Sequence, residues 1–210
     1  ITRCLHQGHT EAQAVTEDFL DDLKPQWILL VGIAGGVPDY DYSLGDVLLA
    51  SRLVDFSISA ASQGDVNYDL SGGEMHQEVY RLLSNLPARN TDLGNWSDSK
   101  KVGMTCPQIP IINDINSEML YGDKTHREEI FQSLKHNFPA RNGRPAKYKI
   151  STTASSNVLI KDAELLNKWE RSARSIANVE MELGGIYRAV QRHGNLPVLA
   201  IRSLSDIVGL

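Results

Sequence analysis

The sequence predicts an α/β fold on three observations. Trp27-Ile28-Leu29-Leu30-Val31 is an unbroken apolar run closed by Gly32, the pattern of a parallel strand covered on both faces. Just before it, Ala12, Val15, Phe19 and Leu23 recur at the three-to-four spacing of one helical face, and Pro25 ends that helix. Late in the chain, a helix over Glu182 to His193 leads into a second buried run, Val198-Leu199-Ala200-Ile201. Helix followed by buried strand, at both ends of the chain, is the alternation of an α/β sheet.

The other elements follow in order. Ile1 to Leu5 reads as the tail of a strand. Gly45-Asp46 leads into the apolar strand Val47 to Ala50, and Arg52 to Ile58 alternates enough to continue or neighbour it. Glu74 to Leu86 is a helix. From about Pro87 to Pro145 the composition turns to Asn, Asp, Ser, Gly and Pro, broken by a helical stretch near Arg127 to His136, so an insertion at about 87–148 is expected rather than sheet core. Lys149 to Thr153 resumes a strand, and Ala163 to Ser175 is an amphipathic helix. A chain of 210 residues suits one domain. That domain is expected to lack its N-terminal strand region and its closing C-terminal helix.

Composition narrows the function. Hydrophobic residues make up 41%, with a mean hydropathy of −0.27, which is ordinary for a soluble protein. A net charge of −5 argues against a dedicated nucleic-acid binder, which needs a basic excess to neutralise phosphates. A small polar ligand fits better. The two cysteines, Cys4 and Cys106, have neither zinc-site nor redox spacing, so a reduced, cytoplasmic setting is expected, with no metal and no cofactor. No apolar run is long enough to span a membrane, and no signal-type start is visible.

Three segments lie where strands end, the place at which α/β sheets bind ligands. Val31-Gly32-Ile33-Ala34-Gly35-Gly36 has glycines that permit close backbone approach and unusual dihedrals, or simply a tight strand exit. It lacks dinucleotide-binding spacing. Val179-Glu180-Met181-Glu182 would put both carboxylates on one face of an extended segment, or would supply acids to a helix start. In Arg202-Ser203-Leu204-Ser205-Asp206 the aspartate is either a helix cap or a functional acid, oriented by Ser205 and opposed by the charge of Arg202.

In order and content these segments, with Leu44-Gly45-Asp46-Val47, resemble the nucleoside phosphorylase and nucleosidase superfamily, which includes purine nucleoside phosphorylases and methylthioadenosine/S-adenosylhomocysteine nucleosidases. The resemblance runs from about Gly8 to Asp206 and is poor between Pro87 and Pro145. It implies a three-layer α/β/α fold with a central mixed, largely parallel sheet, and cleavage of a purine N-glycosidic bond. By resemblance Asp206 protonates the purine's imidazole nitrogen, kept protonated by burial, with Ser205 and Arg202 beside it. Glu182 resembles the residue that accepts hydrogen bonds from the ribose hydroxyls, and Met181 the methionine beneath the sugar. Glu180, Ile33, Ala34 and Gly35 complete the substrate-binding set.

Ala154-Ser155-Ser156-Asn157-Val158-Leu159-Ile160 takes the place of a family loop that usually reads Ser-Gly-Asp and then an aromatic. Ser155 matches, whereas Asn157 and Leu159 depart from the pattern, which would lay the purine against Leu159 and the backbone of Ile160. Family phosphorylases carry an Arg before the glycine turn and a Ser or Thr after its first Gly. This chain has Leu30 and Ile33 there, and two apolar side chains cannot hold a phosphate dianion, so water is the expected nucleophile. The alternatives are phosphate-dependent cleavage and an inactive nucleoside or nucleotide sensor. The resemblance places the water-activating carboxylate before Ile1, and it implies a homo-oligomer. Lys124, His126, Arg127, Lys135, His136, Arg141, Arg144, Lys147 and Lys149 form either a solvated basic face or contacts to a nucleotide's phosphates.

Overall fold

In the computed structural model the described residues are 1–62, 65–98, 109–139, 143–158, 163–173 and 175–210. Helix α1 (His9–Leu23) precedes β1 (Ile28–Gly36) and β2 (Val47–Asp55). Three short strands follow, β3 (Ser59–Ser62), β4 (Asp65–Tyr68) and β5 (Ser71–Glu74), then α2 (Gln77–Asn85) and a 3-10 stretch over Pro87–Leu93. The rest is α3 (Lys124–Asn137), β6 (Tyr148–Ser155), α4 (Ala163–Ser172), β7 (Ile176–Glu180), α5 (Leu183–Arg192) and β8 (Val198–Ile207).

Helix α1 starts at Gly8, whose φ of 111° is a conformation that side-chain-bearing residues rarely adopt, and stops at Lys24 in the left-handed C-cap conformation, one residue before Pro25. The expected strand tail at Ile1 to Leu5 carries no ladder pairing. A strand exists only through a neighbour's backbone groups, which local sequence cannot reveal.

The main sheet runs β5-β2-β6-β7-β1-β8, and β8 pairs back onto β2, so the sheet closes on itself. Pairs β1/β8, β2/β6 and β6/β7 are parallel, whereas β1/β7, β2/β8 and β2/β5 are antiparallel. The mixed α/β architecture is as expected. The sheet is mixed and closed, with its closure made by antiparallel contacts at β1/β7 and β2/β8. Register shifts between Ala34 and Gly35, Ala50 and Arg52, and Thr152 and Thr153 insert single residues that bend the strands into the closed form.

Adjacent residues of β2 show how the layers divide. Leu49 packs outward with Ala12 and Leu20 of α1 and with Leu183, Ile186 and Val190 of α5, while Leu48 joins Ala34, Tyr42, Ala177 and Leu204 between the strands. Trp169 and Leu166 of α4 cover Val54, Phe56 and Ala154. Within the stretch expected as an insertion, Ile112, Leu120 and the α3 residues Ile130 and Leu134 build a further cluster on Leu44 and Ile207. Strand β1 is covered on one face only, since Leu29, Val31 and Ile33 are 64%, 71% and 64% exposed. No helix among the described residues is long and apolar enough to cross a membrane.

Candidate active site

A cavity of about 910 Å³ opens along the exposed face of β1. Leu30, Ile33, Ala34 and Gly35 line it from β1, Glu180, Met181 and Glu182 from the end of β7, and Arg202, Ser205 and Asp206 from β8. The segment Ile1 to Gln7 forms part of its wall. The strand-end residues singled out above, drawn from three separate segments, thus share one cavity. Leu159 and Ile160 lie outside the described residues.

Glu180 is buried and saturated. Its carboxylate accepts the backbone N–H groups of Glu182 at 3.1 Å and Leu183 at 2.9 Å, and it pairs with the Arg202 guanidinium. Two of those donors are amides at the α5 N-terminus, where the helix dipole favours an anion. Glu180 is therefore a helix cap and counter-ion, with little capacity left for a ligand. Arg202, itself buried, also donates to Glu182 Oε2 at 3.1 Å. The Arg202 charge opposes these two glutamates instead of Asp206, as the sequence had suggested, because its side chain crosses toward Gly32, its register partner on β1.

The β1 glycines serve space. Gly32, Gly35 and Gly36 are absent from the positive-φ residues, so no unusual dihedral requires them. A Cβ on Gly32 would collide with the Arg202 guanidinium, one on Gly35 would stand 3.1 Å from Asp206 Oδ2, and one on Gly36 would stand 2.9 Å from Leu204 Cδ1.

Glu182 is half-buried at the start of α5. Burial pushes its carboxyl above the usual range and the neighbouring Glu180 adds to that, while Arg202 and the backbone amides of Gly8 and Met181 oppose it. Asp206 owes its direction to a bulge. Ala34 pairs with Leu204 and Gly35 with Asp206, which leaves Ser205 as the extra residue, and Ser205 and Asp206 are both exposed. Ser205 Oγ donates to Asp206 Oδ1 at 2.7 Å. The burial expected for Asp206 is not found, since the bulge turns it out to the cavity rim.

The family model described as the phosphorylase superfamily matches residues 2–210. This chain belongs to the phosphorylase superfamily. Among curated proteins, an ATP nucleosidase, Cap17, of Escherichia coli is 27% identical over 202 residues, covering 95% of this chain and 34% of that protein. A death domain-containing ATP nucleosidase of the sponge Amphimedon queenslandica is 23% identical over 201 residues, covering 96% and 32%. This superfamily member thus spans about a third of the length of the curated relatives it matches. Among solved structures, a methylthioadenosine/S-adenosylhomocysteine nucleosidase of Colwellia psychrerythraea in complex with adenine superposes with a TM-score of 0.57 at 18% identity, over 97% of this chain and 63% of that one. A futalosine hydrolase mutant of Helicobacter pylori gives 0.54 at 15%, over 95% and 66%. These likenesses place the fold.

The superfamily chain also holds residues that local motifs did not reveal. His9 is 1% exposed, with Nε2 2.7 Å from Ser155 Oγ, and its backbone N–H donates to Asn157 Oδ1 at 2.9 Å. Ser155 is thus buried in a polar cluster and does not line the cavity. No sequence signal links positions 146 apart. The basic residues of the 124–149 stretch do not line the cavity among the described residues: Arg144 binds the buried Asp46 through both carboxylate oxygens, at 2.8 and 2.6 Å, and Lys149 pairs with Asp41. Arg141 lies outside the described residues. Among the described residues, the basic side chains in the cavity wall besides Arg202 are Arg3 and His6.

Proposed function

We propose that this chain is a nucleosidase unit that hydrolyses the N-glycosidic bond of adenine nucleosides or nucleotides. The observation that carries the reading is the convergence of Glu182, Met181 and Asp206 on one cavity whose β1 wall is apolar. In this reading Asp206 gives its proton to the imidazole nitrogen of the purine as the C1′–N9 electron pair passes to the base. Glu182 accepts the ribose hydroxyls, and its negative charge favours the developing ribosyl cation. Water adds to C1′ and loses a proton.

Leu30 and Ile33 line the cavity where a phosphorylase would need polar contacts to phosphate, which supports water as the second substrate. The curated relatives named above are ATP nucleosidases. Arg3 in the wall supplies the charge that a 5′-phosphate chain would seek, and His6 a ring N–H. A single catalytic unit, a homo-oligomer and a cytoplasmic setting belong to the same proposal.

The test is release of free base from ATP, AMP, adenosine, methylthioadenosine and inosine by the whole protein, with and without inorganic phosphate. Adenine from the adenine compounds without phosphate is expected. Base release from none of them would overturn the reading, and a strict phosphate requirement would replace hydrolysis by phosphorolysis.

A further inference from the structure

Behind the α5 N-terminus lies a buried polar cluster that no step above uses. His9, Ser155 and Asp55 are 1%, 0% and 2% exposed, and they stand at the start of α1, the end of β6 and the end of β2. Ser155 Oγ accepts the Gly184 backbone N–H at 3.0 Å, so its single proton is free for His9 Nε2 at 2.7 Å. With Nε2 accepting that proton, the ring proton is on Nδ1, which faces Asp55 Oδ1 at 3.7 Å. Asp55 is in turn held by Arg188 of α5 and by the backbone N–H of Ser57 at 2.9 Å. The arrangement resembles a Ser-His-Asp relay in layout, but every member is sealed from solvent and the serine oxygen is occupied by the helix amide. It positions; it does not attack.

What it positions lies on both sides of the imidazole. On one side, Gly184 is in the first turn of α5, directly after Glu182 and Leu183; a Cβ there would stand 2.7 Å from His9 Cε1 and 3.0 Å from Asp55 Oδ2. On the other, Gly8 precedes His9 and caps the start of α1 with a φ of 111° that suits a glycine. The His9 backbone is fixed by Asn157, and a Cβ on Gly185 would collide with the His9 carbonyl. One histidine therefore sets, through Ser155 and the Gly184 amide, the helix end that carries Glu182.

We propose that His9, acting through Ser155, is a positioning residue that aims Glu182 at the ribose hydroxyls and so determines the preference for ribosides over deoxyribosides. The inference rests on the proposed function. It assigns discrimination at C2′ and C3′ to a residue that touches neither.

The test compares kcat/KM of the whole protein for adenosine, 2′-deoxyadenosine and 2′,3′-dideoxyadenosine, and for ATP against dATP, in wild type, His9→Ala, His9→Gln and Ser155→Ala. In His9→Ala the riboside preference is expected to fall by about tenfold, the worth of roughly one hydrogen bond, through loss on the ribosides alone. His9→Gln, whose Oε1 can accept the Ser155 hydroxyl, should recover most of it. Ser155→Ala should repeat the loss, and it carries the test if His9→Ala does not fold. Equal losses on all substrates, or an unchanged preference, would overturn this inference while leaving the nucleosidase reading standing. A wild type that releases no base from any of these substrates would overturn both.

Discussion

The guanidinium of Arg202 passes over Gly32 so closely that no side chain fits beneath it. The two are register partners on neighbouring parallel strands, and the glycine is the reason Arg202 can reach Glu180 and Glu182. Gly32→Ala should push Arg202 aside and leave Glu180 buried without its cation, at a cost of about 3–5 kcal/mol. Urea unfolding measures this. Arg202→Met should cost a similar amount, and the double variant should fall well short of the sum, because both changes break one interaction. A loss within about 0.5 kcal/mol for Gly32→Ala would show that Glu180 does not depend on this pairing.

Asp206→Asn separates chemistry from stability. The side chain is exposed and accepts the adjacent Ser205 hydroxyl. The melting temperature should hold, while kcat falls by about 10²–10⁴-fold, the usual worth of a general acid. Activity near wild type would remove Asp206 from the proposed mechanism.

Glu182 is expected to limit stability at neutral pH. Burial raises its carboxyl above the ordinary 4.5, so the folded chain holds that proton more tightly than the unfolded one. Its contribution to folding is complete below 4.5 and is lost as pH rises through the raised value. Glu182→Gln should therefore abolish turnover and raise the melting temperature at pH 7, with the gain shrinking toward pH 4 (about). A lower melting temperature at pH 7 would mean that the contact with Arg202 outweighs burial.

His9 shows the opposite sign. Burial holds its imidazole below 6.5, Arg188 adds to this, and Asp55 and Glu180 oppose it. The stability it contributes is complete above 6.5 and is lost as pH falls through the lowered value, because the unfolded chain takes up the proton first. Unfolding free energy of the wild type should fall across this window more steeply than that of His9→Gln. Parallel pH profiles would show that His9 does not titrate differently in the two states.

Arg3→Ala and His6→Ala test where a triphosphate would lie. The first removes a cation from the cavity wall and the second a hydrogen-bond donor, so KM for ATP should rise by about 10–100-fold while KM for adenosine stays within about twofold. Equal effects on both substrates would take the phosphates elsewhere.

The apolar run of β1, the final strand and the α1 stop at Pro25 were legible because each is a local pattern of hydrophobicity or turn chemistry. Glu180, Met181, Glu182, Ser205 and Asp206 were legible as strand-end residues that share a cavity. What escaped were relations between distant segments. The closure of the sheet depends on β8 reaching β2, and periodicity within a strand carries no record of its neighbour. Arg202 was paired with Asp206 because both lie near one strand end, but the partner a buried guanidinium meets is set by what stands across the sheet. The β1 glycines were read as allowing close backbone approach and unusual dihedrals or a tight strand exit; what they provide is room for side chains of β8. His9 looked like any first residue of a helix, and its role depends on a serine that meets it only in the folded chain.

The one-residue bulge at Ser205 acts as a phase change. Along β8 the side chains alternate between more and less buried positions through Leu204, after which two consecutive polar residues face outward before Ile207 returns to the core. A strand of even parity would have had to choose between presenting Ser205 or Asp206. By miscounting once, β8 presents the acid and its hydroxyl partner side by side. The extra residue therefore adds a hydroxyl without displacing the acid: deleting Ser205 would leave Asp206 opposite Gly35, facing the cavity and without that partner.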